Sequence, residues 1–175
     1  MENAKRKFGA PEWLVLIGAS VFILVLAISA FFEADICWLH FFQAWRYIVT
    51  IALSLQGNRW GYFVGISAAG FWDYANVFAT TFFFNGLEEL SHWVHTGHLA
   101  RPDLFIAVPR PGSPICWSYI GCAWAYSRKP AKPRNDIIRF LVSCTLTTLF
   151  FAADMALFQP RYLGIFRRLL LAHLP

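Results

Sequence analysis

Charged residues are scarce in this chain: Asp, Glu, Lys and Arg make up 14% of its 175 residues. A soluble domain usually carries about a quarter, and so few charges cannot keep a water-facing surface soluble. The scarcity excludes an ordinary soluble globular protein. Aromatic residues are abundant, with 18 Phe and 8 Trp, and Trp is favoured where a membrane meets water. The sequence therefore predicts an all-α integral membrane protein.

The sequence signatures of common enzyme classes are also missing. The chain has no G-x-S-x-G motif, no phosphate-binding glycine loop and no dinucleotide fingerprint. The four cysteines are scattered, and the C-x5-C spacing of Cys116 and Cys122 matches no zinc or redox motif. These absences favour a protein that is not an enzyme.

The net charge of +5 does not indicate a nucleic-acid partner. The basic residues flank apolar runs instead of forming a compact basic module. They fall before the first run and in one linker: Lys5, Arg6, Lys7, Arg128, Lys129, Lys132 and Arg134. This distribution is typical of the excess of positive charge on the cytoplasmic side of a membrane. We expect the lipid bilayer as the partner, and no nucleic acid.

A helix needs about 20 apolar residues to span a membrane. Apolar runs of about this length predict a bundle of five transmembrane helices, at 13–32, 36–56, 60–87, 104–126 and 137–158. The fourth is broken by the Pro-rich stretch 109–114, which cannot form a regular helix. A four-helix bundle with a re-entrant or interfacial 104–126 is the alternative. The segment 161–174, with Arg167 and Arg168 beside three leucines, predicts a C-terminal interfacial amphipathic helix.

The distribution of basic residues also predicts the orientation. With five crossings, the N-terminus, Arg59 and the 127–136 linker lie on one side, which we expect to be cytoplasmic in a bacterial-type inner membrane. The first apolar run exceeds the roughly 7–15 residues of a signal peptide. We therefore predict an uncleaved first helix, with a cleaved signal peptide as the alternative.

Two charged residues fall inside predicted spans, where ionisable groups usually pair. Arg46 and Asp73 lie at similar distances from the predicted turn at Asn58, on antiparallel neighbouring helices. We predict that they form an intramembrane pair.

Small residues recur every fourth position in the third span, at Gly61, Gly65 and Ala69, and allow helices to approach closely. Polar residues continue this face and form a similar stripe on the last span. They predict one polar seam made of Asn76, Thr80, Arg139, Ser143, Thr147 and Asp154. Such a seam either fixes helix packing or provides a path for a solute or protons.

Histidines cluster after the third span. If that helix continues, Glu88, His92 and His95 share one face, and His40 on the neighbouring span is a possible fourth ligand. Imidazole and carboxylate groups can bind a transition metal. The alternative is a solvated interface without a metal.

The sequence predicts a small, non-enzymatic, multi-pass membrane protein, either a helical-bundle subunit or a small-solute carrier. Two other functions stay open. One is a membrane-embedded metal-dependent enzyme that uses the His/Glu cluster, and the other is a structural or assembly subunit with other membrane subunits as partners.

Overall fold

The computed structural model describes residues 8–79, 81–107, 113–129 and 133–164, and this part of the chain is helical without a strand. A 3-10 turn, Ala34–Ile36, joins the first two helices, and a π-helical segment, Ala75–Ala79, follows the third. The α-helices are α1 (Ala10–Phe32), α2 (Cys37–Leu55), α3 (Arg59–Tyr74), α4 (Phe82–Thr96), α5 (Pro102–Ala107), α6 (Pro114–Ser127) and α7 (Asn135–Phe158). The predicted all-α fold is confirmed.

Three helices are long and apolar enough to cross a membrane: Ala10–Phe32, Ala34–Leu55 and Asn135–Phe158. They correspond to the first, second and fifth predicted spans. Membrane association therefore has support from helix length and composition, while five crossings stay a prediction.

The predicted third span, 60–87, is wrong as a single helix. The structure divides it into α3, the π-helical segment and the start of α4. A π-helical turn holds an extra residue and shifts the faces that follow it. In α4 only Gly86 is buried, so this helix lies largely outside the bundle.

The predicted broken segment, 104–126, contains two separate helices, α5 and α6, with residues 108–112 outside the described part of the chain. Of the predicted C-terminal helix, residues 161–164 are helical and 165–174 also lie outside the described residues. Arg161 donates to the Asp35 carboxylate at 3.0 Å and so links this segment to the 3-10 turn between α1 and α2.

Helices α1 and α6 are antiparallel and approach closely through two glycines. A Cβ atom on Gly18 would lie 2.6 Å from the backbone nitrogen of Ser118, and one on Gly121 would lie 2.8 Å from that of Val15. Only glycine leaves room for backbones at this distance.

The predicted small-residue contact of α3 is confirmed. A Cβ on Gly61 would lie 2.6 Å from the backbone nitrogen of Ser54, and one on Gly65 would meet the side chains of Thr50 and Cys122. α3 therefore packs tightly against both α2 and α6.

A layer of buried rings crosses the middle of the bundle. The ring centroid of Phe22 on α1 lies 4.8 Å from that of Tyr47 on α2 and 4.8 Å from that of Trp72 on α3. All three side chains are nearly inaccessible. This layer separates the end of the bundle where α1 begins, here called the N-terminal end, from the opposite end.

Ion pairs close the N-terminal end of the bundle. Asp136, at the start of α7, accepts hydrogen bonds from Arg59 on α3 and from Arg139 one turn later. Lys129 donates to the carbonyl of Gly57 at 3.4 Å. These contacts tie the α2–α3 turn to the α6–α7 linker.

We predict that Gly18→Ala destabilises the protein by about 1–3 kcal/mol, because the new methyl group collides with backbone that cannot move aside. Gly70→Ala is the matched control, since no atom lies within 4 Å of a Cβ built there. That control should leave stability unchanged or raise it by up to about 1 kcal/mol. Unfolding of the purified protein in mixed detergent micelles with increasing dodecyl sulfate measures both changes. Equal stability of the two variants would contradict the close α1–α6 contact.

Candidate functional site

A cavity of about 210 Å³ lies between α1, α2 and α3, on the far side of the ring layer from the N-terminus. Residues of α4, α5 and α7 complete its walls. Most of the lining is apolar or aromatic, including Leu26, Phe71, Trp72, Phe82, Phe151 and Tyr162. Apolar walls with a few polar groups are typical of small-molecule sites.

Gln43 is the most informative polar residue in this cavity. Its side chain lines the cavity and is only 5% exposed. Among the described residues its amide oxygen has no hydrogen-bond partner. A buried amide without a partner costs about 1–3 kcal/mol, so a ligand that donates to this oxygen recovers that energy.

His40 lies one turn before Gln43 on α2 and also lines the cavity. Its Nδ1 atom is 3.1 Å from the carbonyl oxygen of Leu26. A carbonyl only accepts, so Nδ1 carries the proton and Nε2 of the neutral ring is an acceptor. His40 is therefore a structural link between α1 and α2 as well as part of the cavity wall.

Asn76 reaches the cavity from the π-helical segment. Its Nδ2 atom donates to the carbonyl of Trp72 at 2.7 Å. This bond satisfies a carbonyl at the point where the helix widens. π-helical turns inside longer helices frequently occur at functional sites, and this one places an amide beside the Gln43 helix.

Arg101 ties together the elements around the open end of the cavity. Its guanidinium donates two hydrogen bonds to Asp103, at 2.9 and 2.8 Å, and one to Glu33 at 2.9 Å. The carboxylate of Glu89 accepts from the backbone nitrogens of Ala100 and Arg101. The contacts of Arg101 thus join the end of α1, the middle of α4 and the start of α5.

The charges of this cluster stabilise one another. Burial by itself raises the pKa of the Asp103 carboxyl, but the hydrogen bonds and charge of Arg101 outweigh it and hold this pKa below its usual value. The hydrogen bonds to Asp103 raise the pKa of Arg101. The backbone hydrogen bond from Arg101 lowers the pKa of Glu89.

The cavity carries little charge of its own. Of the described residues that line it, Glu33 is the only acidic one, and none is Lys or Arg. Because Glu33 is paired with Arg101, no unpaired charge faces a ligand. The site suits a neutral molecule.

The predicted Arg46–Asp73 pair is wrong. Arg46 turns to α7, where it donates to the carbonyl of Leu146 at 2.7 Å and lies 4.4 Å from the ring centre of Phe150. The buried Oδ1 atom of Asp73 has no partner among the described residues. A similar predicted depth in the membrane does not make Arg46 and Asp73 partners, because Arg46 lies on the face of α2 that points to α7.

The predicted polar seam forms only in its middle. Ser143 and Thr147 of α7 lie 3.1 and 2.9 Å from the hydroxyl of Ser67 on α3, a residue the sequence reasoning missed. Asp154 is buried, and neither of its carboxylate oxygens has a partner among the described residues.

The other members of the predicted seam are separate from it. Arg139 pairs with Asp136 at the closed end, and Asn76 belongs to the cavity. Thr80 lies outside the described residues.

The structure does not bring the four predicted metal ligands together. His92 contacts the carbonyl of His98, and His95 contacts that of Ser91, both through Nδ1 on the exposed helix α4. His40 is in the cavity, and Glu88 is exposed on α4. Within the described ranges no three metal-binding side chains form a group.

Comparison with protein-family models, with curated proteins and with solved structures finds no match to this chain.

We predict that Arg101→Gln costs about 1–3 kcal/mol at pH 7, because it leaves the buried Asp103 carboxylate without its charged partner. The pKa of Asp103 is below its usual value in the folded protein, so this contribution is present above about pH 4 and is lost as the pH falls further. The difference between the wild type and the variant should therefore shrink towards pH 3. Thermal unfolding between pH 7 and pH 3 measures it.

Arg161→Gln is the control for this prediction. Its ion pair with Asp35 has both side chains more than half exposed, and such pairs contribute at most about 1 kcal/mol. Equal losses in the two variants at pH 7 would contradict a central role for Arg101.

Proposed function

We propose that this chain is a multi-pass carrier of a bacterial-type inner membrane that binds a small, neutral, hydrogen-bonding solute in the cavity. The observation that carries the proposal is Gln43, a buried amide that lines an aromatic cavity and whose oxygen lacks a partner among the described residues. Burying a polar group without a partner is unfavourable. A ligand that donates a hydrogen bond to the Gln43 oxygen removes this cost, which explains a glutamine at this position.

The proposed topology has five crossings: α1, α2, α3 with the π-helical segment, α6 and α7. α3 and this segment hold 16 and 5 residues, enough for about 30 Å of hydrocarbon at 1.5 Å per residue. α6 is shorter, but its Gly121 packs against Val15 within the first span. Asp103 at the start of α5 is linked through Arg101 to Glu33 at the other end of α1. The start of α5 and the middle of α6 therefore lie near opposite ends of the first span, which supports a crossing.

The charges of the closed end support a cytoplasmic N-terminus. Arg59 and Lys129 make their contacts there, and Arg128 lies beside Gly9 at the start of α1. Excess positive charge marks the cytoplasmic side of membrane proteins. The cavity and the Arg101 cluster then face outward.

The ligand chemistry follows from the walls. Aromatic rings favour a flat, apolar body, and the amides of Gln43 and Asn76 favour a group that both donates and accepts hydrogen bonds. An apolar cavity of about 150 Å³ can hold benzene, so about 210 Å³ admits a ring with a polar substituent. A neutral aromatic amide has these properties.

The one-sided position of the cavity supports a carrier. The layer of Phe22, Tyr47 and Trp72 closes it toward the cytoplasmic side, and ion pairs seal that end. A binding site reached from only one side is what alternating access requires of each state. The π-helical segment, which contains Asn76, is the wall element most suited to change shape.

We predict that benzamide stabilises the purified protein against thermal unfolding, whereas benzoate and benzylammonium do not. Ligand binding to the folded state adds RT ln(1 + [L]/Kd), about 1.4 kcal/mol at ten times Kd. Gln43→Leu should abolish the effect, because it removes the acceptor for the amide. Thermal unfolding followed by intrinsic fluorescence measures the shift.

Gln56→Leu is the matched control, since Gln56 ends the same helix in an exposed position. It should retain the full response to benzamide. A response that is equal in the Gln43→Leu variant, or that is as large with benzoate, would overturn the proposed site.

A further inference from the structure

A second hollow, of about 420 Å³, lies between α1 and α2 beside the cavity. Small residues form part of its lining, including Ala27, Ala30 and Ala44, and the larger Phe41, Trp45 and Ile48 lie along α2. These three larger side chains are 53%, 49% and 42% exposed. On two helices apolar enough to cross a membrane, this apolar groove faces lipid.

The groove and the cavity share a wall. Leu26 and His40 line both hollows, and the 3.1 Å contact between His40 Nδ1 and the Leu26 carbonyl joins them. Among the described residues, this pair alone is common to the two linings. The polar Gln43 lines one side of it, and alanines line the other.

We propose that the groove holds the hydrocarbon chain of a membrane amphiphile whose neutral polar head occupies the cavity, so that the ligand enters sideways from the bilayer between α1 and α2. This proposal rests on the proposed function and names its substrate class. The head is the group that bonds to Gln43. The contact between His40 and Leu26 closes the path in the structure, so the chain passes between the two hollows when that contact opens.

The chemistry of the groove favours this occupant over a water-soluble one. Most of the described residues in its lining are hydrocarbon side chains, with His40, Cys37 and the indole of Trp45 as the polar groups among them. A hydrocarbon chain therefore loses few hydrogen bonds there. Lipid is as apolar as the groove, and a chain therefore exchanges between the two at little cost. The Arg101 cluster, in contrast, places charged side chains at the outward-facing end of the cavity, where Arg101 links Glu33 to Asp103.

The test uses a benzamide head with an alkyl tail that carries a photoreactive diazirine. The full chain is reconstituted in phosphatidylcholine vesicles, irradiated and mapped by peptide mass spectrometry. We expect labelling to concentrate on the groove residues of α1 and α2, and excess untailed benzamide to displace it. Gln43→Leu should lose the displaceable labelling.

Ala27→Trp fills the groove from an exposed position and should abolish the displaceable labelling while the thermal response to untailed benzamide remains. Leu24→Trp, 57% exposed on the same helix but outside the groove, should change neither. Ala30→Phe repeats the block at a second place, in case one variant fails to fold.

Labelling spread over all lipid-facing helices, or retained in both blocked variants, would overturn the sideways entry while benzamide binding still supports the proposed function. Groove labelling that benzamide cannot displace would mean that an ordinary lipid, without its head in the cavity, fills the groove. An unlabelled groove in a dimer would assign it to a second copy of the chain. If benzamide gives no thermal response in the wild type, the proposed function itself fails.

Discussion

The structure depends on one constraint: inside a membrane, a polar side chain must find its partner within the protein or in a ligand, because no water is present. The Nη2 atom of Arg46 finds such a partner in the carbonyl of Leu146. Ser67 finds partners in two hydroxyls of α7, and His40 in the carbonyl of Leu26. Other buried groups also lack a partner within the described part of the chain, among them Tyr47, Asp73 and Asp154, but Gln43 combines a missing partner with a position on the cavity wall.

Helix packing explains why the cavity lies where it does. Gly18 and Gly121 bring α1 and α6 into backbone contact, and Gly61 does the same for α2 and α3 near their shared turn. The bundle is therefore tight toward the N-terminal end. Beyond the ring layer, α3 gives way to the π-helical segment and α4 leaves the bundle. The space that opens there is held by the Arg101 cluster and not by tight packing.

The sequence predicted the features that depend on composition and on spacing along one helix. These were the helical class, three of the five predicted apolar spans, and the close contacts of Gly61 and Gly65. The sequence did not predict contacts that depend on which way a side chain faces around the helix axis. The Arg46–Asp73 pair is the example. The sequence also predicted one helix where the structure has α3 and α4. The apolar residues 82–84 continue the apolar run, so the π-helical segment before them leaves no sign in the composition. Ser67 was missed because it is off the four-residue stripe, although it lies as far from the start of α3 as Ser143 does from the start of α7.

The proposed ligand site depends on the Gln43 amide as its hydrogen-bonding group. Nuclear magnetic resonance of the side-chain amides tests it most directly, since the chain contains only three glutamines, Gln43, Gln56 and Gln159. With glutamine labelled by ¹⁵N and the Gln43 signal assigned from its loss in Gln43→Leu, saturating benzamide should shift that signal and leave the other two in place. A Gln43 signal that does not move at saturation, or an equal shift of all three, would contradict the account.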